Sequence, residues 1–156
     1  MKSILVAVDF SEITDRVLQA TVNLAKAVDS KVTVMHVAPR EPDVFGHQLT
    51  RKIITEPAPE AVRERYDNLM DCAKRLEDAG VAVTPLLVRG DRVRAIMREV
   101  VAAKADLIVM GAHGHGGLYK RLVGSVSEGI MREAKCPMLI IPTKALKEDQ
   151  DVSDIA

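Results

Sequence analysis

Residues 110–127 read Met110-Gly111-Ala112-His113-Gly114-His115-Gly116-Gly117-Leu118-Tyr119-Lys120-Arg121-Leu122-Val123-Gly124-Ser125-Val126-Ser127, and Gly111, Gly114 and Gly124-Ser125 set the spacing G-x2-G-x9-G-S. Glycines allow backbone amides to approach a ligand closely and to adopt positive φ. Gly124-Ser125 opens an apolar-periodic stretch, so free N–H groups and a helix dipole would meet there, an arrangement that favours phosphate. The hydroxyls of Ser125 and Ser127 add donors, and Lys120 and Arg121 bring positive charge nearby. The chemistry this suits is a backbone grip on a polyphosphate. A glycine-rich turn leading into a capped helix, with no ligand, is the competing reading of the same residues.

Better-known glycine motifs fail on spacing. No G-x4-G-K-[ST] string occurs. The dinucleotide fingerprint G-x-G-x-x-G would need glycine where Tyr119 stands, and it belongs after the first strand, where this chain has Asp9-Phe10-Ser11. His113 and His115 have no third or fourth ligand nearby, so they are candidate phosphate contacts and no protein-held metal is expected. No G-x-S-x-G elbow surrounds Ser11, which reads as a helix cap. His36 reads as a satisfied packing residue, and the arginine-rich 89–94 as either a phosphate-reaching segment or a solvated helix start.

The elements that must position the loop follow from periodicity. Residues 3–8, 31–37, 81–88, 105–110 and 137–142 are short apolar runs that read as strands, the first a run buried on both faces. Pro85 puts the third strand at an edge, because proline cannot donate to the ladder. Between them lie helical patterns: Ile13, Val17, Leu18, Thr21, Leu24, Ala25 and Val28; Val62, Tyr66, Leu69, Ala73 and Leu76; Val93, Ile96, Met97, Val100 and Val101; and Val126, Ile130, Met131 and Ala134. Strict alternation of strand and helix predicts a single α/β domain over residues 1–143, a doubly wound parallel sheet with helices on both faces. Residues 39–59, with four prolines, read as a long irregular connection, and 144–156 as a disordered acidic tail. Ligands of such sheets sit beyond the carboxyl ends of the strands, where strand order reverses.

Composition narrows the functional classes. Twenty-two basic and 22 acidic side chains balance to zero, without the basic excess that nucleic acid or anionic membrane would require. With Phe10, Phe45, Tyr66, Tyr119 and no tryptophan, no stacking platform for single strands can be built. No apolar run is long enough to span a bilayer, and Met1-Lys2 leads directly into a strand without a secretory pattern. Cys72 and Cys136 form no CxxC and read as reduced structural thiols, so a cytoplasmic protein is expected.

From ILVAVDFSE at residue 4, through ADLIVMGAHGHGG, to the closing CPMLIIP, the chain resembles the universal stress proteins, whose ATP-binding subgroup carries G-x2-G-x9-G-[ST]. The resemblance covers about residues 2–142 and implies strand order 3-2-1-4-5. It further implies Asp9 and the backbone of Val37 on the adenine and ribose side, Met110 and Gly111 at the ribose, and Gly114, Gly124, Ser125, Val126 and Ser127 around the phosphates. The implied cofactor is ATP, or AMP or ADP, with Mg²⁺ carried by the phosphates, and the implied partner a second copy docked along Met138, Leu139, Ile140 and Ile141. The expected function is a nucleotide-dependent stress-response module with a further protein partner. A slow ATPase or nucleotidyl-transfer enzyme is the alternative, although no carboxylate base lies near the phosphate end. A phosphorelay receiver fits poorly, since Asp91 is misplaced by two residues after the third strand.

Overall fold

The computed structural model describes residues 1–39, 60–112 and 124–143. The elements run β1 (Ser3–Ala7), α1 (Thr14–Val28), β2 (Lys31–Ala38), α2 (Glu60–Asp78), β3 (Val83–Arg89), α3 (Arg92–Ala102), β4 (Leu107–Gly111), α4 (Ser125–Glu133) and β5 (Met138–Ile141). All neighbouring strands are parallel, in the order β3-β2-β1-β4-β5. The expected α/β architecture and strand order are therefore observed, and Pro85 lies on an edge strand. The connection at 40–59 and the tail at 144–156 lie outside the described residues.

Strand alternation divides the core into two layers. Ile4, Val6, Val32, Val34, Leu107 and Val109 point to the side covered by Val17 and Leu18 of α1 and Leu69, Ala73 and Leu76 of α2. Leu5, Met35, Ile108 and Met110 point to the opposite side, against Ala95, Ile96 and Val100 of α3 and Ile130 of α4. Each fully buried Leu or Ile contributes about 1.5–3 kcal/mol relative to an exposed one, so β1 and β4, buried on both faces, anchor the sheet. The reversal of strand order falls between them, because α1 and α2 cover one face and α3 and α4 the other.

Several expected faces are rotated. On α2 the buried stripe is Val62, Leu69, Cys72, Ala73 and Leu76, while Tyr66 is exposed. Tyr66 and Cys72 sit at opposite margins of that stripe, and the small apolar thiol is the one covered. On α3 the stripe turns toward Ala95 and Glu99, leaving Val101 74% exposed. The buried Glu99 carboxylate is met by Arg98, whose Nε donates at 3.0 Å. Val28 and Met131 are likewise exposed. The arginine-rich segment is a capped helix start: the Asp91 side chain accepts from the Arg94 N–H at 2.9 Å.

Candidate functional site

The carboxyl ends of β1, β2 and β4 meet at one edge of the molecule. Ala7 pairs with Met35 on one side and Met110 on the other, and Val8 N–H donates to the Met35 carbonyl at 2.9 Å. The chain then turns, and Asp9 follows. Its Oδ1 accepts from the Ser11 N–H at 3.0 Å and from the Ser11 hydroxyl at 2.6 Å. Its Oδ2 takes no hydrogen bond from the described residues, and the carboxylate is half-buried. The expected helix cap at Ser11 is thereby corrected. The hydroxyl of Ser11 donates to Asp9, and only its carbonyl meets the helix, accepting from Thr14 N–H at 3.0 Å. The buried hydroxyl of Thr14, in the first turn of α1, has no partner among the described residues.

Phe10, between Asp9 and Ser11, has φ of 61°, a left-handed conformation that costs a bulky residue about 1–2 kcal/mol. Its ring lies on the His36 imidazole, with centroids 4.3 Å apart at 30°. His36 is 5% exposed. Its Nδ1 is 2.8 Å from the Val8 carbonyl, which can only accept, and its Nε2 is 3.1 Å from the Arg65 guanidinium, which can only donate. The partners thus fix the neutral Nδ1–H tautomer. Burial pushes the His36 pKa below 6.5, against the raising effect of the Val8 hydrogen bond; Arg65 and Arg92 lower it and Asp9 raises it. The expectation of a satisfied buried histidine holds, but neither its link to α2 nor the Phe10 stack was read from the sequence. A histidine inside an apolar strand is a visible signal; a partner 29 residues away is not.

At the same edge of the sheet, α4 begins next to the end of β4. Gly124 N–H donates to the Ala112 carbonyl at 2.6 Å, and the Ser127 hydroxyl donates to the Gly111 carbonyl at 3.2 Å. Gly124 is the N-cap, with φ of −73° and ψ of 162°. The first bond along the helix runs from Glu128 N–H to the Gly124 carbonyl, so the N–H groups of Ser125, Val126 and Ser127 have no acceptor within the helix. Ser127, 2% exposed, spends its one hydroxyl proton on Gly111, so only its backbone N–H remains to be offered. Ser125 is exposed and Val126 half-buried.

Gly111 has a packing reason of its own: a Cβ there would lie 2.8 Å from Cγ2 of Ile13. Val37 and Met110 are both 6% exposed, in β2 and β4. The structure thus gathers Asp9, Val37, Met110, Gly111 and residues 124–127 at the carboxyl edge of the sheet. Gly114, His113, His115, Lys120 and Arg121 lie outside the described residues. Met138, Leu139 and Ile140 are half-buried on the edge strand β5, and Ile141 is buried. A carboxylate oxygen with no donor among the described residues and a helix start whose first N–H groups have no acceptor within the helix, both at the carboxyl edge of the sheet, can hold a ligand with donors at one end and an anion at the other.

The universal stress protein family profile matches residues 1–142. The chain belongs to the universal stress protein family. A universal stress protein of Methanocaldococcus jannaschii is 29% identical over 145 residues, 90% of this chain and 81% of the relative. A solved structure from the same family, from Burkholderia pseudomallei, is 31% identical with a TM-score of 0.67, covering 90% of this chain and 96% of that one. The universal stress protein of Archaeoglobus fulgidus in complex with dAMP shares the fold at a TM-score of 0.67 and 21% identity, covering 90% and 98%. A further universal stress protein, solved in complex with cAMP, matches at a TM-score of 0.68 and 23% identity over 92% and 98%. Among the described residues of the present universal stress protein, no helix is long and apolar enough to cross a membrane.

Proposed function

We propose that this universal stress protein is a cytoplasmic binding module for an adenine nucleotide, ATP in the first place and AMP or ADP otherwise, whose occupancy is read by a protein partner during stress. The observation that carries the reading is the start of α4, where the N–H groups of 125–127 have no acceptor within the helix, beside the end of β4 and at the same carboxyl edge of the sheet as Asp9, whose Oδ2 has no donor among the described residues. The residues fit the group at both ends. N–H groups at a helix start of nine residues favour phosphate, and Asp9 can accept from an adenine amine or a ribose hydroxyl. Gly124 and the N–H groups of Ser125, Val126 and Ser127 would hold phosphate, Gly111 and Met110 the ribose, Asp9 and Val37 the adenine side. Gly114 completes the glycine spacing, with His113, His115, Lys120 and Arg121 as further phosphate contacts. Mg²⁺ would be carried by the phosphates. The two relatives solved with cAMP and dAMP support an adenine nucleotide as the ligand class. β5 is an apolar edge strand, and pairing with a second copy would cover an edge otherwise prone to aggregation.

Calorimetry with ATP tests the reading. Wild-type protein binds and Gly124→Val does not, while both stay folded, because φ at Gly124 is one that any residue adopts. Equal affinity in the two proteins rejects the site. Turnover above about one per minute, lost in Gly114→Ala, would replace the binding module with an enzyme.

A further inference from the structure

The turn that presents Asp9 is held on both sides by one buried imidazole. Val8, before Asp9, gives its carbonyl to His36 Nδ1–H at 2.8 Å; Phe10, after it, lays its ring on the same imidazole at 4.3 Å. Phe10 keeps a left-handed φ of 61° that glycine would take more readily, so the ring contact is what justifies a phenylalanine there. The other imidazole nitrogen, Nε2, is met by Arg65 of α2 at 3.1 Å. Asp9 is therefore flanked by two residues anchored to a group that is itself anchored to a helix on one face of the sheet.

We propose that His36 is a positioning residue for the Asp9 acceptor, and that Arg65 holds it in the neutral tautomer that does so. This rests on the adenine-nucleotide reading of the site and names what controls the adenine end. The charged groups that face His36 among the described residues are Asp9 from the turn after β1, Arg65 from α2 and Arg92 from the start of α3. A proton added at Nε2 would break the Arg65 contact, repel both guanidinium groups and draw the Asp9 carboxylate toward the ring. Each of these moves the acceptor away from its resting place. Because burial keeps His36 neutral to below the ordinary value of 6.5, the intact arrangement is present at neutral pH and is lost on acidification.

Adenosine is the probe, since it engages the adenine and ribose side and carries no phosphate that titrates in this range. Its affinity, measured by calorimetry at neutral pH, is expected to fall about tenfold in both Phe10→Gly and His36→Gln. Phe10→Gly relieves the backbone conformation but gives up ring packing against the core, so affinity is read well below its melting temperature; Phe10→Tyr, which restores a ring, recovers the affinity. Wild-type affinity falls as the pH drops through the His36 titration, whereas His36→Gln is flat with pH. Long-range ¹H–¹⁵N spectra of ligand-free protein show Nδ1 protonated and Nε2 bare. Unchanged adenosine affinity in Phe10→Gly and His36→Gln overturns the proposal, as does the opposite tautomer. That failure is distinguishable from failure of the site, in which wild-type protein and Gly124→Val would bind ATP alike.

Discussion

The hydroxyl of Ser127, in the first turn of α4, donates to the carbonyl of Gly111, the last residue of β4, across 3.2 Å. Together with the Gly124 N–H to Ala112 carbonyl bond at 2.6 Å, it fastens the helix start to the strand end. The first-turn N–H groups thus owe their position to two bonds that no ligand makes. Ser127→Ala leaves the half-buried Gly111 carbonyl without that donor, and the expected destabilisation is about 0.5–1.5 kcal/mol. Ser125→Ala, at an exposed position, should stay within about 0.5 kcal/mol. Urea unfolding of the pair checks this; equal stabilities would mean that the Ser127 hydroxyl does not hold the helix.

Gly111 and Ile13 form a second such pair. Because a Cβ on Gly111 would sit 2.8 Å from Ile13 Cγ2, Gly111→Ala overpacks the contact between β4 and the start of α1, at a cost of about 1–3 kcal/mol. Ile13→Ala removes both Cγ atoms and alone leaves a cavity worth about 2–5 kcal/mol. In the double variant the new methyl occupies part of that cavity, so its destabilisation should be less than the sum of the singles by about 1 kcal/mol or more. Additive unfolding energies would contradict the contact. The glycine at 111 then has a reason that precedes any nucleotide.

The fold was open to reading because its signals are local. Apolar runs such as 4–8 and 105–110, separated by helical periods, leave little besides a doubly wound sheet, and Pro85 marks the edge within a single strand. What sequence did not yield depends on contacts distant along the chain. Ser11 has the right type and place for a helix cap, yet a carboxylate two residues back takes its hydroxyl. The Phe10–His36–Arg65 chain joins three elements whose order in space only the fold supplies. The spacing G-x2-G-x9-G-S points to residues 111 and 124 without revealing that Ile13 fills the space over Gly111 or that Ser127 has already used its proton.

The rotation of α3 makes a prediction where periodicity alone misleads. Val100 and Val101 are adjacent in sequence and both read as buried, but Val100 is 8% exposed and Val101 74%. Val101→Lys should alter stability by no more than about 0.5 kcal/mol. Val100→Lys forces an ammonium against Ile96 and Ile108 and should unfold the domain or cost more than about 4 kcal/mol. Thermal melts of the two variants discriminate, and comparable losses would mean that the helix is seated on the face its sequence suggested.

At the opposite edge of the sheet, Asp106 supplies an acid-sensitive tie. Its Oδ2 accepts from the backbone N–H groups of Lys2 at 2.6 Å and Ser3 at 3.0 Å, while its own N–H donates to the Ser3 carbonyl at 2.8 Å, so the start of β4 is closed onto the start of β1. The N–H of Lys2, then that of Ser3, holds the carboxyl pKa below its ordinary 3.8. A folded-state value lower than the unfolded one means that stabilisation is fully present above 3.8 and is lost as the pH falls through the folded value. Asp106→Asn, which cannot carry the charge, should therefore melt below wild type at about pH 7 and converge with it as the pH falls through the folded value, below which both side chains are neutral. Melting curves across that range decide the matter: a gap that persists unchanged into acid would assign the effect to the shape of the side chain and not to the charge that the two N–H groups stabilise.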